Sequence, residues 1–100
     1  MPKNIVLFCA AGMSTSLLVE KMKEAAAKLD YDCKINAYSM TKVKDYAPGA
    51  DIILLGPQIR FQKAEIAGKY PNIPVEDINM MDYGMMNGEK IIRHVMDVLK

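Results

Sequence analysis

The run Ile5-Val6-Leu7-Phe8-Cys9-Ala10-Ala11-Gly12-Met13-Ser14-Thr15-Ser16 decides the fold. Large apolar residues in direct succession read as a strand buried on both faces, since a half-exposed strand would alternate apolar with polar positions. The strand covers about residues 4–9 and ends at Cys9. Small residues follow, and then a helical period. Leu18, Met22, Ala25, Ala26 and Leu29 fall on one face and Glu20, Lys21, Glu24 and Lys28 on the other, with Ser14 or Ser16 as the cap. A buried strand leading through a tight turn into an amphipathic helix is the opening unit of an open parallel α/β sheet. In such sheets ligands gather beyond the carboxyl ends of the strands.

The remainder of the chain continues the alternation. Asp30-Tyr31-Asp32 breaks the first helix, and Cys33-Lys34-Ile35-Asn36-Ala37-Tyr38 alternates as an edge strand should. A short helical turn near residues 41–46 ends before Pro48-Gly49. The apolar run Asp51-Ile52-Ile53-Leu54-Leu55 is a third, fully buried strand, closed by Gly56-Pro57. A helix over about residues 58–69 follows, carrying Ile59, Ile66, Ala67 and Tyr70, and Pro71 closes it. Pro74-Val75-Glu76-Asp77-Ile78 is a fourth strand. A last helix over about residues 83–99 is expected to bury Ile92, Val95, Met96 and Leu99. Right-handed crossovers then give a four-stranded parallel sheet flanked by helices, in the order 2-1-3-4.

That order makes the first and third strands neighbours, so the turn after Cys9 faces Gly56-Pro57-Gln58 at the switch point. Ala10, Ala11 and Gly12 leave room for backbone N–H groups to converge, and Met13 leads into Ser14, Thr15 and Ser16, whose hydroxyls lie at the start of a helix. Backbone amides and a helix N-terminus favour an anion of phosphate size, and they favour a thiolate over a thiol. Cysteine phosphatases place an arginine six residues after their nucleophile; counting from Cys9, that position is Thr15. Without a guanidinium to clamp the phosphoryl oxygens, hydrolytic turnover is disfavoured. The loop is suited to accepting a phosphoryl group on sulfur and passing it on. Gln58 is a candidate donor beside the loop, its alternative being a solvent-exposed amide.

Residues 5–18 and Asp51-Ile52-Ile53-Leu54-Leu55-Gly56-Pro57-Gln58, together with Pro74-Val75 and Tyr83-Gly84, give the chain a resemblance to a known family. It resembles the enzyme IIB components of the lactose/cellobiose (chitobiose) branch of the sugar phosphotransferase system, over essentially its whole length. The resemblance implies a fold like that of small cysteine phosphatases. It also implies that Cys9 takes a phosphoryl group from a phosphohistidine of a IIA component. The group then passes to a disaccharide entering through the membrane component IIC.

Composition agrees and excludes other classes. One hundred residues make one domain, residues 1–100. With 51% hydrophobic and 25% charged residues the chain is an ordinary globular protein. Thirteen basic residues against 12 acidic, without a basic run, argue against a nucleic-acid partner. No apolar stretch approaches a membrane span, and Met1-Pro2-Lys3-Asn4 is no signal peptide, so the reading is cytoplasmic. Cys9 and Cys33 lack metal-ligand spacing, and His94 is the only histidine, so neither a metal nor a cofactor is expected. The expected state is a monomer that makes transient complexes.

Three features lie outside the loop. His94 reads as a solvated surface histidine and Cys33 as an inert thiol. The segment from Ile78 to Gly88 carries four of the nine methionines and borders the Cys9 end of the sheet. Each methionine alone suits a core gap, while together they suit a surface that meets several partners. Tyr83 is placed to rim the site. Asp82 supports an alternative, a hydrolase of the low-molecular-weight cysteine phosphatase type with Asp82 as general acid. A phospho-regulated module without catalysis is the third possibility.

Overall fold

The structure, a computed structural model, describes residues 2–10 and 15–100. Strands β1 (Lys3–Cys9), β2 (Cys33–Ser39), β3 (Ile52–Leu55) and β4 (Val75–Asp77) form one sheet in the order β2-β1-β3-β4. All neighbouring pairs are parallel, with Phe8 opposite Tyr38 on one side and Leu55 on the other. The expected order and the edge position of β2 are both found.

The continuous apolar runs are explained by the two layers they serve. Alternation sends Ile5, Leu7, Ile52 and Leu54 to one face, where helices α1 (Thr15–Lys28) and α5 (Gly88–Val98) cover them with Leu18, Met22, Ile92 and Val95. Val6, Phe8, Ile53 and Leu55 point to the opposite face, against Ala47, Ile59 and Ile66. Every one of these strand residues is at most 2% exposed. At the amino edge a clasp sets the register. The Asn4 backbone N–H donates to the Asp51 carboxylate at 2.7 Å, and the Asn4 side-chain amide donates to the Gly49 carbonyl at 2.8 Å.

Helix α1 ends as a Schellman motif. The Tyr31 N–H donates to the Ala26 carbonyl and the Asp30 N–H to that of Ala27, with Asp30 in the left-handed region at φ 55°. Ser16 lies inside α1 and so is not its cap; Ser14 falls outside the described residues.

Three expected helices are more broken than the sequence suggests. Residues 40–49 form a 3-10 turn, the four-residue helix α2 (Val43–Tyr46) and a second 3-10 turn through Pro48-Gly49. The helix expected over residues 58–69 begins as a 3-10 segment, Pro57–Gln62, with a kink at Ile59, and becomes regular only in α3 (Lys63–Lys69). The last helix is two: α4 (Met80–Gly84) and α5. Met86 separates them at φ 53°, with Asn87 N–H donating to the Asp82 carbonyl and Met86 N–H to that of Tyr83. Asn side chains start both pieces: Asn79 accepts from the Met81 and Asp82 N–H groups, and Asn87 from that of Lys90. Of the core residues expected in α5, Ile92 and Val95 are buried, whereas Met96 and Leu99 are only half-buried; Ile91 takes a buried place instead.

Candidate functional site

Cys9 is the last residue of the central strand, paired in register with Ser39 and 1% exposed. The turn after β3 closes against it. The Gly56 N–H donates to the Phe8 carbonyl at 2.9 Å, extending the β1–β3 ladder beyond Leu55. A Cβ on Gly56 would sit 3.3 Å from the Cys9 Cβ and 3.1 Å from Oε1 of Gln58. A side chain at residue 56 would press on the thiol-bearing residue, whose own backbone is paired to β2. The side-chain oxygen of Gln58, an exposed residue, also reaches the Gly56 turn. Ala10 is exposed just past the strand, and Ser16 is exposed in the first turn of α1. Ala11, Gly12, Met13 and Ser14, and the side chain of Thr15, lie outside the described residues, so the anion cradle expected there is not described.

Several large apolar side chains are exposed. Leu17, Phe61, Met80, Met81 and Met85 are all more than half exposed. They belong to the segments leaving the carboxyl ends of β1, β3 and β4. Sequence reasoning found the methionines but missed Leu17 and Phe61. The available signal was position: both fall off the buried period of their helical segments and just beyond a strand end. Tyr83 sits in α4, half-buried against the core layer of α1 and α5. It holds the methionine-bearing helix to the body of the protein.

Asp82 and His94 prove to be neighbours of another cleft. This cleft, of about 440 Å³, is lined by Glu76, Asn79, Asp82, Lys90 and His94 over a floor that includes Leu54 and Ile91. Asp82 lies 3.8 Å from the Lys90 ammonium, its side chain 16% exposed. Cys9 is not among the residues lining the cleft. His94 is exposed as expected, but it is not simply solvated. Its Nε2 lies 2.8 Å from Oε1 of Glu76, tying α5 to the edge strand β4. That partner is 18 residues away in sequence and invisible to a search for helical spacing.

Neither Cys9 nor Cys33 is in a disulfide. Burial pushes the Cys33 thiol up, and the Asp32 carboxylate adds to the effect, so Cys33 stays protonated and inert at neutral pH. Among the described residues no group of His, Cys, Asp and Glu has the arrangement of a metal site. None of the helices there is long and apolar enough to cross a membrane.

Cys9 and Gly56, one from each of the two stretches that carry the resemblance, are thus packed together. Residues 4–94 match the family described as the lactose/cellobiose-specific IIB subunit of the phosphotransferase system. The chain belongs to this family. It is 46% identical over 97 residues to the galactose-specific EIIB component of Lactococcus lactis subsp. cremoris, the match covering 90% of each. It is 44% identical over 100 residues to the oligo-beta-mannoside-specific EIIB component of Bacillus subtilis, covering 97% of this chain and 96% of that one. The solution structure of a cellobiose-specific IIB component from Borrelia burgdorferi superposes with a TM-score of 0.80 at 38% identity, over 99% of this chain and 93% of the other. A lactose-specific IIB domain from Streptococcus pneumoniae, at 18% identity and a TM-score of 0.81 over 97% of both chains, shares the fold. The IIB chain is thus a phosphotransferase of the sugar phosphotransferase system, and neither the hydrolase nor the regulatory alternative is favoured.

Proposed function

We propose that Cys9 is the phosphoryl acceptor of this IIB chain and that residues 1–100 act as one cytoplasmic, monomeric carrier domain. The observation that carries the assignment is the position of Cys9: buried, at the carboxyl end of the central strand, immediately before the turn into α1, with Gly56 packed on its Cβ. In the first step Sγ attacks the phosphorus of a phosphohistidine on a IIA component in line. The S–P bond forms as the N–P bond breaks and the imidazole leaves. In the second step a hydroxyl of a disaccharide of the cellobiose, lactose or chitobiose class, presented by IIC, attacks phosphorus. The S–P bond breaks, the thiolate returns and the hydroxyl proton is released. Backbone amides of the loop over residues 10–16 hold the phosphoryl oxygens between the steps, supported by the positive end of α1. Thr15 in place of a guanidinium keeps water from being an efficient acceptor.

Leu17, Phe61, Met80, Met81 and Met85 form the contact ring for both partners. IIA and IIC must dock and release in each cycle, so the interfaces are small and transient. Intact-mass spectrometry after incubation with phosphoenolpyruvate, the general phosphotransferase components and a IIA protein tests the assignment. The expected result is one added phosphoryl group, absent in Cys9→Ser and discharged by membranes carrying IIC and a disaccharide. An adduct that survives in Cys9→Ser refutes it.

A further inference from the structure

Among the described residues the exposed methionines are clustered. Among the described residues, Met22 is fully buried and Met40, Met86 and Met96 are half-buried, whereas Met80, Met81 and Met85 are 65%, 73% and 74% exposed. All three belong to α4 or its C-cap, a stretch whose backbone is independently secured. The Asn79 side chain accepts from two N–H groups at its start, the Schellman bonds at Met86 and Asn87 close its end, and Tyr83 packs into the core. Three thioethers therefore point outward from a frame that does not depend on them.

We propose that Met80, Met81 and Met85 are an oxidant-modified site that tunes partner docking, an inference that rests on the carrier reading above. The oxidant is a peroxide. The thioether sulfur attacks the peroxide O–O bond and takes up one oxygen, giving the sulfoxide, while the other oxygen leaves as water; sulfur is oxidised by two electrons and peroxide reduced by two. Each sulfoxide replaces a polarizable apolar contact with a strongly polar S=O group that must be desolvated when IIA covers it. Among the described residues the methionine inside the core, Met22, is fully buried, so the oxidant does not reach it in the folded protein. Cys9 is 1% exposed, and the dithiothreitol step of the test returns any sulfenic acid formed on it to the thiol. Methionine sulfoxide reductases restore the surface.

The test treats the intact protein with hydrogen peroxide, then with dithiothreitol, which reverses sulfenic acids and disulfides but leaves sulfoxides. Peptide mass spectrometry should find added oxygen at Met80, Met81 and Met85 ahead of Met22, Met40, Met86 and Met96. Phosphoryl transfer from phosphorylated IIA is then measured against IIA concentration. The half-saturating concentration should rise by about tenfold, the effect of leaving buried polar groups unpaired, with the saturating rate retained. Reductase treatment should reverse the rise. The variant M80L/M81L/M85L, compared with its own untreated rate, should be insensitive to peroxide. Oxidation confirmed at the three positions without a change in half-saturation overturns the inference, as does equal sensitivity in the leucine variant. An untreated protein that accepts no phosphoryl group from IIA overturns the carrier reading itself.

Discussion

Gly88→Ala tests whether the two helices on the Cys9 face are packed as closely as the structure shows. Gly88 opens α5 where it crosses the middle of α1. A Cβ there would lie 2.5 Å from both C and O of Lys21 and 2.7 Å from N of Met22. All three are backbone atoms inside a helix, so no rotamer change relieves the overlap. Non-bonded carbon atoms settle at about 3.5–4.0 Å, so the helices must part by about 1 Å. Met22, Ile92 and Val95, each fully buried beside this crossing, would lose contacts as they part. Overpacking of this kind costs about 1–3 kcal/mol, and alanine's better helix propensity returns at most about 1 kcal/mol. The net expectation is a loss of about 1–2 kcal/mol. At about 4–8 °C per kcal/mol for a chain of this size, the melting temperature should fall by roughly 5–15 °C. Urea denaturation with an unchanged m value is the assay. Gly68→Ala is the control: Gly68 lies within α3 with nothing inside 4 Å of its virtual Cβ, so alanine should be neutral or stabilise by up to about 1 kcal/mol. If Gly88→Ala proves as stable as Gly68→Ala, the close crossing of α1 and α5 is wrong.

Gly56→Ala should separate stability from activity. Its φ of −59° suits alanine and Gln58 can swing aside, so stability should change by less than about 1 kcal/mol. Cys9 cannot swing aside, and displacing its Cβ by tenths of an ångström should slow phosphoryl acceptance by about tenfold; an unaltered rate in a single-turnover assay would rule this out. Tyr31→Phe should be neutral or stabilising in thermal unfolding, because the buried hydroxyl has no hydrogen-bond partner and burial pushes the phenol up; a loss above about 1 kcal/mol would reveal a bond this structure lacks. Glu89→Gln should lower stability at neutral pH but not in acid. The Arg93 hydrogen bond first, and Lys28 second, hold the Glu89 carboxyl below its ordinary 4.5, so its contribution exists above that value and is lost as pH falls through the lower folded-state one. Urea midpoints at neutral pH and well below 4.5 should show the gap closing; a constant gap would contradict it.

The sheet was legible because its information is local. Ile5-Val6-Leu7-Phe8 and Ile52-Ile53-Leu54-Leu55 have no polar position to offer solvent, which forces both strands into the middle and leaves the alternating Cys33–Ser39 at an edge. Helix ends were less legible. Met86 takes a left-handed conformation that its side chain does not favour, while Gly84 and Gly88, the residues that advertise such a turn, stand on either side of it. Gly88 is a glycine for a different reason, the backbone of α1 against it. The visible signals were Asn79 and Asn87, each capping a new helix, and a periodic reading over residues 83–99 passed over the second. The Glu76–His94 contact was beyond reach, since it depends on how α5 crosses β4.

The thiol and the partner surface draw on different parts of the chain, and that separation suits a two-partner carrier. Cys9 is paired with Ser39 of β2 and directly follows Phe8, which is laddered to Leu55 and accepts from the Gly56 N–H, so its position is set by the most buried layer of the molecule. Reaction geometry that must be met twice per cycle, once with imidazole leaving and once with a sugar hydroxyl attacking, benefits from such rigidity. In the proposed carrier the contact side chains instead come from segments leaving β1, β3 and β4, where exposed methionines and Phe61 suit differently shaped partners. Substitutions at Phe61 or Met81 should therefore shift half-saturation by IIA and by IIC to different extents while the saturating rates stay together. Substitutions at Gly56 should lower both saturating rates in parallel. Parallel half-saturation shifts for every ring substitution would instead mean that both partners use one identical set of contacts.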